Sequence, residues 1–195
     1  MDPGAFDQVG SRIETAPIVG GLLRRKETGR HAHRHEGGLV VEVRDGTLVL
    51  AYATAQVFAL ESAEPAGDDP LKGRAEWRFE PRGGGWATGS IERASPLAAL
   101  CRGAVRASTQ VRLAIVRERL AGGDTVDFGA GAATVHEVWV HGHRPMPWAE
   151  ATGIEDRGIE GVLLHTATRG DFTLASTALQ VADLAVLVAL IEDGR

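Results

Sequence analysis

Histidine can act as base, acid or metal ligand near neutral pH, and this chain carries seven of them. Six fall in two clusters, His31, His33 and His35, and His136, His141 and His143. A spacing of two places His31, His33 and His35 on one face of a strand. Imidazoles projecting side by side can clamp a divalent metal such as zinc. His141 and His143 repeat the spacing, so if the clusters met they would supply a zinc site from His31, His33, His35, His141 and His143. The other reading makes these residues polar side chains on the solvated face of edge strands. The cupin pattern fails, because Glu36 follows His31 and His33 too early.

A cationic group lies alongside. Arg24, Arg25, Lys26, Arg30 and Arg34 crowd an expected strand–turn–strand. Arginine there binds phosphate oxygens in pairs, so an anionic ligand or lipid headgroup is the matching partner. The competing reading is a solvated turn that balances the acidic loop 61–69. Catalytic signatures are lacking: the sequence contains no Gly-x-Ser-x-Gly, P-loop or His-Glu-x-x-His. Cys101 sits on an apolar helical stripe and reads as core. Glu137, Glu155 and Asp156 have no partner in sequence for acid–base work. These absences point to a protein that is not an enzyme and needs no cofactor.

The elements that must position these residues follow from periodicity and punctuation. Residues 1–17 read as a loose tail, 18–23 as a first strand, 24–30 as a charged turn, and 30–43 as a strand broken or bulged at Gly37-Gly38. Asp45-Gly46 marks a hairpin, and 47–60 is rich in strand formers. Segments 74–79 and 86–91 add short strands. Ser95 is a good N-cap and Pro96 fits the first helical position. A long helix therefore runs over 96–121, with Leu97, Cys101, Ala104, Val111 and Ile115 on its apolar stripe and Gly122-Gly123 as its stop. Beyond it, 133–141 reads as one strand, 161–168 and 171–176 as a hairpin around Arg169-Gly170, and Asp183 as the cap of a buried helix over 184–192.

Bulk properties set the class. The 195 residues are 44% hydrophobic and 24% charged, enough for one large domain or two small ones with a sizeable core. A net charge of −5 argues against a nucleic-acid partner, which needs a broad basic face. The single cysteine excludes an internal disulfide framework. No signal peptide is visible, and the apolar run 184–191 is far short of the ~20 residues that span a bilayer. The expectation is a soluble, cytoplasmic protein with no transmembrane segment.

Both halves run strands, then helix. That layout, with three segments, resembles a bacterial family of unknown function built from pleckstrin-homology-like (PH-like) modules. The segments are the helix end LAGGDTVDFG (120–129), the PWAE strand entry (147–150) and the closing VADLAVLVALI (181–191). GGLVVEVRDG (37–46) matches in the first half. The resemblance implies protein or lipid-headgroup binding and brings no catalytic residues. The expected fold is α+β, mainly β: two small antiparallel PH-like sheets, each closed by a helix and joined by helix 96–121. Its expected domains are a first lobe over 18–123 and a shorter second lobe over 124–195. The expected function is a non-catalytic interaction module that binds a protein partner or itself.

Overall fold

The computed structural model describes residues 9–20, 26–44, 46–61, 73–80, 85–89, 91–157 and 160–194. Strand residues make up 44% and helical residues 28%, so the chain is α+β with strands dominant. It divides into two compact units, Met1–Val57 with Glu64–Ser108, and Phe58–Ala63 with Thr109–Arg195. The expected boundary stood at 123/124, after the long helix; this division falls within that helix.

In the first unit, β1 (Arg12–Gly20), β2 (Lys26–His35), β3 (Gly38–Val43) and β4 (Gly46–Ala51) form an antiparallel sheet in that order. The loose tail expected over 1–17 is therefore corrected from Arg12 onward. Ala16 pairs with Ala32 and both are buried. The charged turn expected over 24–30 moves as well, since Lys26 is already in β2.

The bulge expected at Gly37-Gly38 is a tight turn between β2 and β3. A Cβ on Gly38 would come within 2.6 Å of both the Leu50 carbonyl oxygen and Val9 Cγ1, so only glycine fits this close approach. A hairpin does join β3 to β4 where it was expected, with Val43 paired to Gly46; Asp45 itself lies outside the described residues. Alternation gives the sheet two different faces. Ala16, Ala32, Leu39, Val41 and Leu50 line one and are buried. The other carries rows such as Thr15, His33, Val40 and Val49.

A further sheet has the order β5 (Gln56–Glu61), β6 (Arg74–Glu80), β7 (Trp86–Ala87), with β8 (Ile91–Glu92) also pairing β6. Trp77 and Phe79 of β6 are fully buried. Helix α1 (Pro96–Ala121) begins as its residues dictate. Ser95 Oγ accepts the Ala98 N–H at 3.2 Å, and Leu97, Ala98, Leu100, Cys101 and Ala104 are buried. Gly103 faces β2: a Cβ there would meet Arg34 Nε at 2.9 Å. The first half of α1 thus covers the side of the sheet opposite the histidines.

The second unit takes the rest of α1 and two more antiparallel sheets, so among the described residues the expected two sheets are four. One has the order β12 (Met146–Pro147), β11 (Glu137–Val140), β10 (Gly131–Ala133), β9 (Val126–Asp127). The single strand expected over 133–141 is two strands joined by a turn. Thr134 causes the break, because its Oγ1 accepts the N–H groups of His136 and Glu137 and offers the backbone an alternative to extension. The other sheet contains β13 (Ala151–Asp156), β14 (Val162–Thr166) and β15 (Phe172–Ala175).

Helix α2 (Leu184–Asp193) buries Val186, Leu187, Leu190 and Ile191. Asp183 occupies the N-cap position, but its side chain does not cap. Its backbone is left-handed (φ 50°, ψ 40°) and its buried carboxylate accepts from Arg112 Nε at 3.0 Å and Nη2 at 2.7 Å. Aspartate suits the place because it tolerates left-handed backbone better than most residues.

Candidate functional site

The histidine cluster on β2 is built by strand alternation. His31 and His33 project on the same face, with ring centroids 6.2 Å apart and an interplanar angle of 26°. Neither is on an edge strand, since β2 lies between β1 and β3. His33 is only 8% exposed and His35 3%, so the solvated-face reading fails for both. His35 Nδ1 lies 2.8 Å from the Gly10 carbonyl oxygen and donates to it.

Glu42 of β3 closes the cluster. Its carboxylate accepts the His31 backbone N–H at 2.7 Å and stands 3.3 Å from His33 Nε2 and 3.5 Å from His31 Nδ1. The carboxyl is held below its ordinary range. The His31 N–H is the largest cause, burial opposes it, and His33 adds a hydrogen bond and charge attraction. On the other side, His33 Nδ1 lies 2.9 Å from Thr15 Oγ1, and Thr15 is exposed. The result is a continuous hydroxyl–imidazole–carboxylate line across three strands.

The second histidine cluster is organised differently. His141 and His143 lie in a turn, separated by Gly142 with a positive φ of 86°, rather than on a strand. Nε2 of His141 is 3.6 Å from Asp127 Oδ1, whereas His143 packs edge-on against Phe172 with centroids 4.9 Å apart. The expected shared zinc face is absent from this turn, because Gly142 breaks the alternation the spacing relied on. The two clusters lie in different units. Among the described residues, no group of three or more His, Cys, Asp or Glu has an arrangement able to hold a metal ion.

Much of the expected phosphate-binding turn lies outside the described residues. Arg24 and Arg25 lie outside them, and Lys26 is described only as part of β2. Arg30 is half-buried in β2. Arg34 projects toward α1, where Nε donates to Glu14 Oε2 at 3.1 Å. Its guanidinium is committed to an internal ion pair, on the face opposite the histidines.

Sequence reasoning missed Thr15, Glu42 and His165. A hairpin centred on residues 36–37 would have brought Glu42 beside the histidines, and Gly37-Gly38 was the available signal. His165 of β14 sits between two carboxylates, Asp171 at 2.9 Å and Glu155 at 3.4 Å. Glu155 also accepts from Arg157 at 2.8 Å, and this contact is the largest cause holding its carboxyl below the usual range. These four side chains are each a third to a half exposed and form a solvated charge cluster.

The two edges of the first sheet also differ. β1 carries Pro17 and two register shifts, between Arg12 and Glu14 and between Pro17 and Val19. β4 pairs with β3 in unbroken register over six residue pairs. Its sequence, GTLVLA, has neither charge nor proline. The Tyr52 N–H donates to the Gly37 carbonyl at 2.9 Å, so alternation turns the N–H groups of Thr47, Val49 and Ala51 away from β3. Among the described residues no strand covers that side.

Comparison with models of protein families, with curated proteins and with solved structures finds no match to this chain. No helix among the described residues is long and apolar enough to cross a membrane.

Proposed function

We propose that the chain is a non-catalytic protein-binding module with PH-like lobes, which takes up a partner strand along β4. The observation that carries this reading is the contrast between the two edges of one sheet. Natural sheets blunt exposed edges with proline, charge or bulges, because unpaired backbone groups recruit other chains. β1 is blunted by Pro17 and its two irregularities. β4 is regular and uncharged for its whole length and apolar from Leu48 to Ala51. A strand added there would receive backbone hydrogen bonds from Thr47, Val49 and Ala51.

The test is to place proline where it harms only an incoming strand. Val49→Pro removes an outward N–H and leaves the bonds to β3 in place. Thr47→Pro does the same one pair along, and guards against a packing defect at Val49. Native mass spectrometry and crosslinking should show an assembly, with self or with a protein partner, that both variants lose. Amide exchange at Thr47, Val49 and Ala51 should slow when the assembly forms. An assembly that survives both substitutions, or wild-type protein that never assembles, overturns the reading.

A further inference from the structure

We propose that Thr15 is an acylation site, a nucleophilic hydroxyl activated by His33 and Glu42 that accepts an acyl group from a small activated ester. This inference stands apart from strand addition at β4.

The tautomer of His33 follows from its neighbours. Glu42 is ionised near neutral pH, since its carboxyl is held below the ordinary range. An ionised carboxylate can only accept hydrogen bonds. The 3.3 Å contact therefore requires the proton on His33 Nε2. In the neutral ring Nδ1 is then a bare lone pair, and the hydroxyl 2.9 Å away, Thr15 Oγ1, donates to it. Hydroxyl to imidazole to carboxylate is the order by which serine hydrolases activate their nucleophile, here with the ring nitrogens exchanged.

The surroundings suit the roles. His33 is nine-tenths buried, which shields the base from bulk water. The His31 ring stacks beside it and the His31 N–H fixes Glu42, so imidazole and carboxylate are both oriented. Thr15 is exposed, so an ester can approach its hydroxyl from solvent. That open position selects donors whose leaving group departs unaided.

The step balances without any further reagent. Thr15 Oγ1 attacks the carbonyl carbon and forms a C–O bond as its proton passes to His33 Nδ1. The bond from that carbon to the leaving oxygen breaks, and the leaving group takes its electron pair and then the proton from His33. The products are the Thr15 ester and the free alcohol or phenol.

The experiment uses the full chain and p-nitrophenyl acetate near neutral pH, read by intact mass and peptide mapping. Wild type and Thr15→Ser should each gain one acetyl group on the peptide containing residue 15. Thr15→Val, a conservative change at an exposed position, should gain none there. His33→Gln and Glu42→Gln should slow the labelling, His33→Gln by about a hundredfold if it removes a general base, with circular dichroism showing the fold retained. Equal labelling of Thr15→Val, acetyl groups found only at other residues, or unchanged rates in folded His33→Gln would each overturn the proposal.

Discussion

The Arg112–Asp183 pair joins residues 71 positions apart and should dominate the stability of the second unit. The Asp183 side chain is 4% exposed and that of Arg112 12%, so neither charge has much water to fall back on. Removing one partner of such a pair leaves a buried, uncompensated charge and costs about 3–5 kcal/mol. Arg112→Met should therefore lose about that amount.

Substitutions at Asp183 separate charge from backbone. Asp183→Ala breaks the pair and also forces alanine into φ 50°, a region costing an ordinary residue roughly 1–2 kcal/mol. The sum is about 4–7 kcal/mol. Asp183→Asn keeps the left-handed tolerance but loses the charge, and should lose about 3–5 kcal/mol. Urea unfolding followed by circular dichroism gives the three values. Amide exchange over residues 178–194 shows whether the loss is centred on the start of α2. If Arg112→Met falls within about 0.5 kcal/mol of wild type, as surface changes do, the buried-pair reasoning is wrong. If Asp183→Asn is as damaging as Asp183→Ala, the backbone part is wrong.

Three further outcomes are expected. Gly129→Ala should cost more than about 2 kcal/mol in a thermal or urea melt, because φ is 82° and the new Cβ would lie 2.7 Å from the Gln180 carbonyl oxygen. Ser95→Ala removes the bond to the Ala98 N–H and should cost about 1 kcal/mol by the same measurement. Glu42→Gln should destabilise at neutral pH and progressively less in acid. A carboxyl held below its ordinary value of 4.5 stabilises the fold above that pH, and loses the contribution as pH falls through the lower folded value. Parallel unfolding curves for wild type and Glu42→Gln across that range check the sign, and a gap that widens in acid would refute it.

The readable parts of the sequence were those governed by neighbours in the chain. Ser95, Pro96 and Gly122-Gly123 bracket α1, and they act on backbone groups within one turn of themselves. The β3–β4 hairpin and the mainly β, antiparallel character follow from turn residues and alternation. Alternation also put His31 and His33 on one face. Asp183 shows the limit of local reasoning. Its place before α2 was legible, but the use of its carboxylate depends on Arg112, which is remote in sequence.

The chemistry around His33 turned on register. A turn at 36–37 rather than a bulge decides which β3 residue meets the histidines, and a slip of one residue would turn Glu42 to the other face. The pairing of Thr15 with His33 likewise depends on β1, a strand whose start read as tail. The same alternation that groups the histidines sends Arg34 to the opposite face, where Glu14 neutralises it beneath α1. By itself the sequence determined the start and stop of α1 and the alternation of sides along β2, since these are set within a few residues. Only the tertiary structure decided which sides meet, because cross-strand and helix–strand partners are chosen by register and packing between segments far apart in the chain.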